Sequence, residues 1–244
     1  MQGDFMANRN ETIRGFGKCV HSSEFGKSEG HSITNDFLCN ITTNFYKNSL
    51  EHRKHEDYLP FIYGERQIHS ILCPAIYDSS DSLLIEAGVN RKKRGDDNVG
   101  TDHHGWVDYY CNYRKFIYFL EIKHSFYSPS SKIVKEVIKK KWHHADKQLQ
   151  SVKKEITDWI KPNSKGAFRV AMLILPYFHS VDKDLSLNSD EILEQHSNIN
   201  TTLKTNWSSL CLLNKKMSGP YEYDKSTEMH PAVGIYCKIS DIHK

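Results

Sequence analysis

The sequence predicts an α/β fold in which a central mixed sheet is flanked by helices, and three observations predict it. The runs KFIYFLEI (residues 115–122) and FRVAMLIL (168–175) are apolar on both pleat faces, the pattern of strands buried within a sheet. Between them, residues 130–159 carry Val134, Val137, Ile138, Ala145, Leu149, Val152, Ile156 and Trp159 at three-and-four spacing, the stripe of an amphipathic helix. A second helical stretch precedes the first strand. The 244 residues suffice for one large domain or a core with appendages, and thirteen Tyr and eleven Phe can fill its interior.

Taken in order, residues 1–35 are rich in Gly, Ser, Asn and charge and read as a loop or arm, poorly ordered alone. Residues 36–59 suggest a helix, so that 1–59 form an N-terminal arm and helical extension. Residues 64–72 read as a short helix, with Ile68, Ile71 and Leu72 at helical spacing. Residues 83–89 (LLIEAGV) supply a first strand. The segment GWVDYYCNYRKFIYFLEIK (105–123) supplies two more, with a reversal at residues 112–115. Ser130 or Ser131 can cap the long helix, and Pro162 and Gly166 end it. The strand at 168–175 is stopped by Pro176, which closes a core of residues 60–176. In the remainder, 177–244, residues 191–195 and 202–213 suggest short helices, and 232–239 (AVGIYCKI) a final strand at the sheet edge beside 168–175. No linker separates this part as a second domain.

The chemistry concentrates around Asp108, Glu121 and Lys123. A buried strand seldom carries a carboxylate and an ammonium, because each loses its hydration unless something pairs with it. Glu121 and Lys123 lie two residues apart and project from one face. A reversal at 112–115 brings Asp108 within two residues of Glu121 across an antiparallel pair, at most roughly 7–8 Å away. Two carboxylates that close need a positive partner, and a divalent metal would supply it.

This constellation, set in the order helix, three strands, helix, strand, resembles the PD-(D/E)xK nuclease superfamily. The resemblance covers residues 60–176 and implies a restriction-endonuclease-like core, α-β-β-β-α-β. It implies that Asp108 and Glu121 hold Mg²⁺ or Mn²⁺ with the Ile122 carbonyl, and that Lys123 stabilises the attacking hydroxide or the charge on the phosphate. It further implies a metal-directed Glu65 on the helix before the sheet and a cleavage-site role for Gln148. Val107 stands where the family's proline would be; many relatives dispense with it. The implied activity is hydrolysis of phosphodiester bonds in nucleic acid, DNA above all, in defence against foreign DNA or in repair. Such nucleases commonly act as homodimers or with a partner subunit.

The net charge of +3 is too small to imply nucleic-acid binding by itself, but the charge is clustered. Arg91, Lys92, Lys93 and Arg94 lie between the first two strands. Lys139, Lys140 and Lys141 lead a helix rich in lysine. Around a carboxylate site these would hold a phosphate backbone; the bland reading is a solvated helix face. Six scattered Cys without a C-x-x-C, no apolar run of about 20 residues and no apolar leader fit a cytoplasmic protein without a membrane partner. The pairs His103-His104 and His143-His144 lack the spacing of a zinc motif, although His104 fits a pocket base. Two other classes remain open: a catalytically silent nuclease-fold subunit that binds nucleic acid or a protein, and an enzyme acting on a small phosphoester.

Overall fold

The computed structural model describes residues 9–24, 28–91, 103–131, 133–150, 152, 163–181, 188–224 and 226–242. In chain order these form β1 (Arg9–Ile13), β2 (Gly17–Ser23), α1 (Glu29–Glu56), α2 (Glu65–Ser79), β3 (Ser82–Arg91), β4 (His103–Tyr113), β5 (Phe116–His124), α3 (Glu136–Gln150), β6 (Gly166–Ser180), α4 (Ser189–Leu203), β7 (Trp207–Leu213), β8 (Tyr221–Tyr223) and β9 (Ser226–Asp241). All the described strands join one mixed sheet in the order β1-β2-β7-β9-β6-β5-β4-β3, with β8 on β9. β5 and β6 run parallel. Their connection carries α3 across one face, as a parallel pair requires.

Alternation along β5 divides the core in two. Phe116, Tyr118, Leu120 and Ile122 pack with α1 and α2 on one face. Ile117 and Phe119 pack with α3 and α4 on the other. The result is a helix–sheet–helix sandwich, and each fully buried side chain of this size contributes roughly 1.5–3 kcal/mol. α1 begins where the Ser28 side chain accepts a hydrogen bond from the His31 backbone N–H, and ends at Asp57 with φ of 58°. α4 opens with a capping box between Asn188 and Glu191. Among the described residues, no helix is long and apolar enough to cross a membrane.

The reversal expected at residues 112–115 is present as a two-residue hairpin. Arg114 and Lys115 both have positive φ, 47° and 70°, which matches the right-handed twist of the flanking strands. The helices at 36–59 and 64–72 are present and longer than expected, as is the strand at 83–89.

Five expectations are corrected. Residues 1–35 are not a plain arm: β1 and β2 pair with each other, and β2 adds to β7. A polar edge strand hides its signal, because the apolar partner lies in another part of the chain. Residues 207–213, expected within a helix, form β7 between β2 and β9, with Trp207 to Cys211 buried; a short apolar run has no decisive period. Pro176 does not stop β6, which reaches Ser180. Ile174 and Pro176 turn their carbonyls toward Ser125 N and Tyr127 N, so the missing N–H of Pro176 falls where β5 has already ended. Ser130 and Ser131 lie in a 3-10 turn, Pro129–Ser131, and α3 starts only at Glu136. The expected continuation to 159 lies largely outside the described residues. β9 does lie beside β6, but inside the sheet rather than at its edge.

Candidate active site at the end of the β4–β5 hairpin

The β4–β5 ladder runs from Tyr113 opposite Phe116 to Tyr109 opposite Leu120, and there its regular pairing ends. Asp108 comes next. Its Oδ2 accepts the Ile122 backbone N–H at 2.7 Å, so a carboxylate takes over where a strand carbonyl would have continued the ladder. On the other side of β4, pairing passes from Ile85–Tyr109 to Ala87–Val107 and omits Glu86–Asp108. Glu86 has φ of 49°, a left-handed conformation that costs a non-glycine residue roughly 1–2 kcal/mol. The two strands roll over at this pair. Leu83 and Tyr109 face the core under α1 and α2, whereas Ala87, Val89 and Val107 belong to the opposite core.

Lys123 closes the other half of the site. Its Nζ donates to Glu121 Oε1 at 2.9 Å and to the Ile122 carbonyl at 3.0 Å. Glu121 is 2% exposed and the Lys123 side chain 14%. Burial works against the ammonium; the charge and hydrogen bond of Glu121, then the charges of Asp108 and Glu65, outweigh it and raise the Lys123 pKa. Glu65 owes this influence to its place as the first residue of α2. Thus three acids, one each from α2, β4 and β5, act on a single lysine.

Beside Asp108 opens a cleft of about 340 Å³ lined by Arg66, His69, Cys73, Ile85, Glu86 and Tyr109. His69 Nδ1 and the Tyr109 hydroxyl are hydrogen-bonded at 2.5 Å. Burial, then the Cys73 thiol and Asp108, push the Tyr109 phenol up, so it stays protonated. Residue 124, next along β5, is a buried histidine. Burial and then the Lys141 ammonium lower its pKa to about 4, against a hydrogen bond to the Phe61 backbone.

Of the residues singled out from sequence, Asp108, Glu121, Ile122, Lys123 and Glu65 come together. Gln148 is half-buried on α3, seven residues beyond Lys141 and so about 10 Å farther along the helix. Lys141 is the α3 residue that reaches the strand end, its Nζ donating to the His124 carbonyl at 2.6 Å; that ammonium is turned inward rather than toward a partner. Lys139 and Lys140 are exposed, Lys139 lying 3.9 Å from Glu136. Arg91 ends β3, and Lys92, Lys93 and Arg94 lie outside the described residues, as does the side chain of His104. Glu86, Arg66, His69 and Tyr109 were missed. An acid interrupting the apolar run LLIEAGV was the one available signal for Glu86.

Among the described residues, no group of three or more His, Cys, Asp and Glu side chains stands ready to hold a metal. The donor chemistry nonetheless suits a hard cation. Glu121 Oε1 and the Ile122 carbonyl converge on the Lys123 ammonium, which occupies the place of a positive ion between two oxygens. No family model matches this chain, and no curated protein or solved structure matches it.

Proposed function

We propose that this protein is a metal-dependent nuclease with a restriction-endonuclease-like core, hydrolysing phosphodiester bonds in nucleic acid, with DNA as the preferred substrate. The observation that carries the reading is the convergence of Asp108, Glu121, the Ile122 carbonyl and Glu65 around Lys123. The succession α2-β3-β4-β5-α3-β6 also supports it. Asp108, Glu121 and the Ile122 carbonyl would hold Mg²⁺ or Mn²⁺, with Glu65 completing the acidic shell. When bound, such an ion lowers the pKa of water and neutralises charge building on a phosphate.

The chain's own residues supply the rest. The Ile122 N–H fixes one Asp108 oxygen, and Asp108 lines the cleft beside Arg66 and His69. Lys123, kept protonated by its acidic neighbours, offers a positive charge to the phosphate oxygens once released from Glu121. Arg66 lines the cleft beside Asp108 and adds a second cation for the scissile strand.

The test is cleavage of labelled single- and double-stranded DNA and RNA with Mg²⁺, Mn²⁺ or EDTA. The native protein is compared with Asp108→Ala and Lys123→Ala. Metal-dependent cutting lost in both variants is the expected result; no cutting of any substrate by the native protein rejects the reading. One observation favours a second reading. Lys123 already satisfies Glu121 and the Ile122 carbonyl, as it would in a catalytically silent subunit that keeps the fold to bind nucleic acid or a protein partner. That reading predicts nucleic-acid binding that survives Asp108→Ala and needs no divalent ion.

A further inference from the structure

A second cleft, of about 400 Å³, lies along the same end of β5 and is built from aromatic rings. Its walls are Ile62 and Tyr63 ahead of α2, Phe126 just after β5, Phe178 on β6, Tyr223 on β8 and Glu228 on β9. Tyr63 and Tyr223 form one ring pair, with centroids 6.1 Å apart and planes tilted at 60°. Phe126 and Phe178 form another at 6.1 Å, edge to face at 85°. Tyr63 is 46% exposed, unusual for a ring placed in an aromatic cluster. Polar groups sit among the rings: the Tyr223 hydroxyl is 3.4 Å from His230 Nε2, and that nitrogen is 3.6 Å from Glu228 Oε2. His230 is fully buried beside Phe178, so it holds this corner rigidly.

Apolar walls with a few convergent polar groups are what a planar heteroaromatic ring needs. The cleft shares two chain segments with the acidic site. Tyr63 stands two residues before Glu65, and Phe126 three residues after Lys123, about 10 Å along an extended chain. A strand whose phosphate lay at Lys123 would bring a neighbouring base to the rings.

Resting on the nuclease reading, we infer that this cleft receives an unstacked base of a single strand, the exposed Tyr63 ring stacking on its face, Tyr223 meeting its edge and Glu228 accepting from its N–H groups. Duplex DNA keeps its bases stacked and paired and cannot use the slot without unstacking. Single strands, or frayed ends, are therefore the bound form.

The experiment measures binding apart from cutting. In an Asp108→Ala background with EDTA, an oligonucleotide carrying one 2-aminopurine is titrated as a single strand and as a duplex. The same titrations follow with Tyr63→Ala and with Tyr63→Trp added. Expected are tighter binding of the single strand, quenching of 2-aminopurine, and roughly tenfold weaker single-strand binding with Tyr63→Ala that Tyr63→Trp restores. Equal affinity with and without the Tyr63 ring, or preference for the duplex, overturns the slot. Either result stands independently of whether the native protein cuts, so failure of the slot and failure of the nuclease reading are told apart.

Discussion

The polar cluster beneath α4 and the acidic end of β5 both hold hydrogen-bonding groups out of water, and they are built in opposite ways. Under α4, His196 Nδ1 meets the Tyr236 hydroxyl at 2.7 Å, and Nε2 meets Ser208 Oγ at 3.1 Å. Tyr236 bonds Tyr177 at 2.6 Å, and Asn200 donates to Ser208 at 2.9 Å. The members are neutral, and burial keeps them so: it lowers His196 to about 3 and holds the Tyr236 phenol well above its usual range. At the end of β5, by contrast, one ammonium is paired with Glu121 and feels the charges of Asp108 and Glu65 where a ladder stops. A closed neutral network specifies packing; an uneven set of charges is what the proposed metal site needs.

The contrast breaks first at the charges. Asp108→Ala or Lys123→Ala is expected to lower metal-dependent cleavage about 10²- to 10⁴-fold, read from initial rates. Asp108→Ala costs about 2 kcal/mol of stability, read from urea denaturation, for the lost bond to Ile122 N–H. His196→Ala should do the reverse. Removing a buried ring that bonds Tyr236 and Ser208 costs about 3 kcal/mol in the same assay. Cleavage per folded molecule should be unchanged.

Acid sharpens the comparison next. His196 and His230 both have folded pKa values lowered to about 3 by burial, below the unfolded value near 6.5. The unfolded chain therefore binds more protons at any pH between these limits. The stability is fully present above about pH 6.5 and is lost as pH falls through the window. At pH 5 each histidine accounts for about 2 kcal/mol, which a urea midpoint at pH 7 and at pH 5 measures. A midpoint that does not move rejects the neutral burial of these rings.

Smallest is the effect of the exposed helix charges. Lys139→Glu with Lys140→Glu is expected to weaken nucleic-acid binding a few-fold and to reduce its salt slope by about 2, with melting temperature unaltered.

The legible part of the molecule was the part with strong periodicity. α3 shows an apolar stripe, β5 and β6 show runs apolar on both faces, and the 112–115 reversal lies between two such strands. Asp108, Glu121 and Lys123 were legible because charges are conspicuous in or beside a buried strand. β1, β2 and β7 were not legible, since a strand's partner decides whether its polar or ambiguous residues pair. Nor was Glu86, whose importance lies in facing Asp108 across a ladder that both leave. Gly234 shows the same limit. A Cβ there would lie 2.6–2.9 Å from the ring and hydroxyl of Tyr236, which is held on both sides by hydrogen bonds.

By itself the sequence determined an α/β chain, the hairpin at 112–115, and an acid, a glutamate and a lysine in or beside strands that burial makes costly. These follow from local period and from the free energy of burying charge, both properties of neighbouring residues. Only the tertiary structure decided that β2 and β7 extend the sheet, that Glu86 lies opposite Asp108 where the β3–β4 ladder breaks, and that aromatic rings from four separate segments meet in one cleft. Those outcomes depend on contacts between residues far apart in the chain, where loop closure and packing, not local pattern, set the free energy.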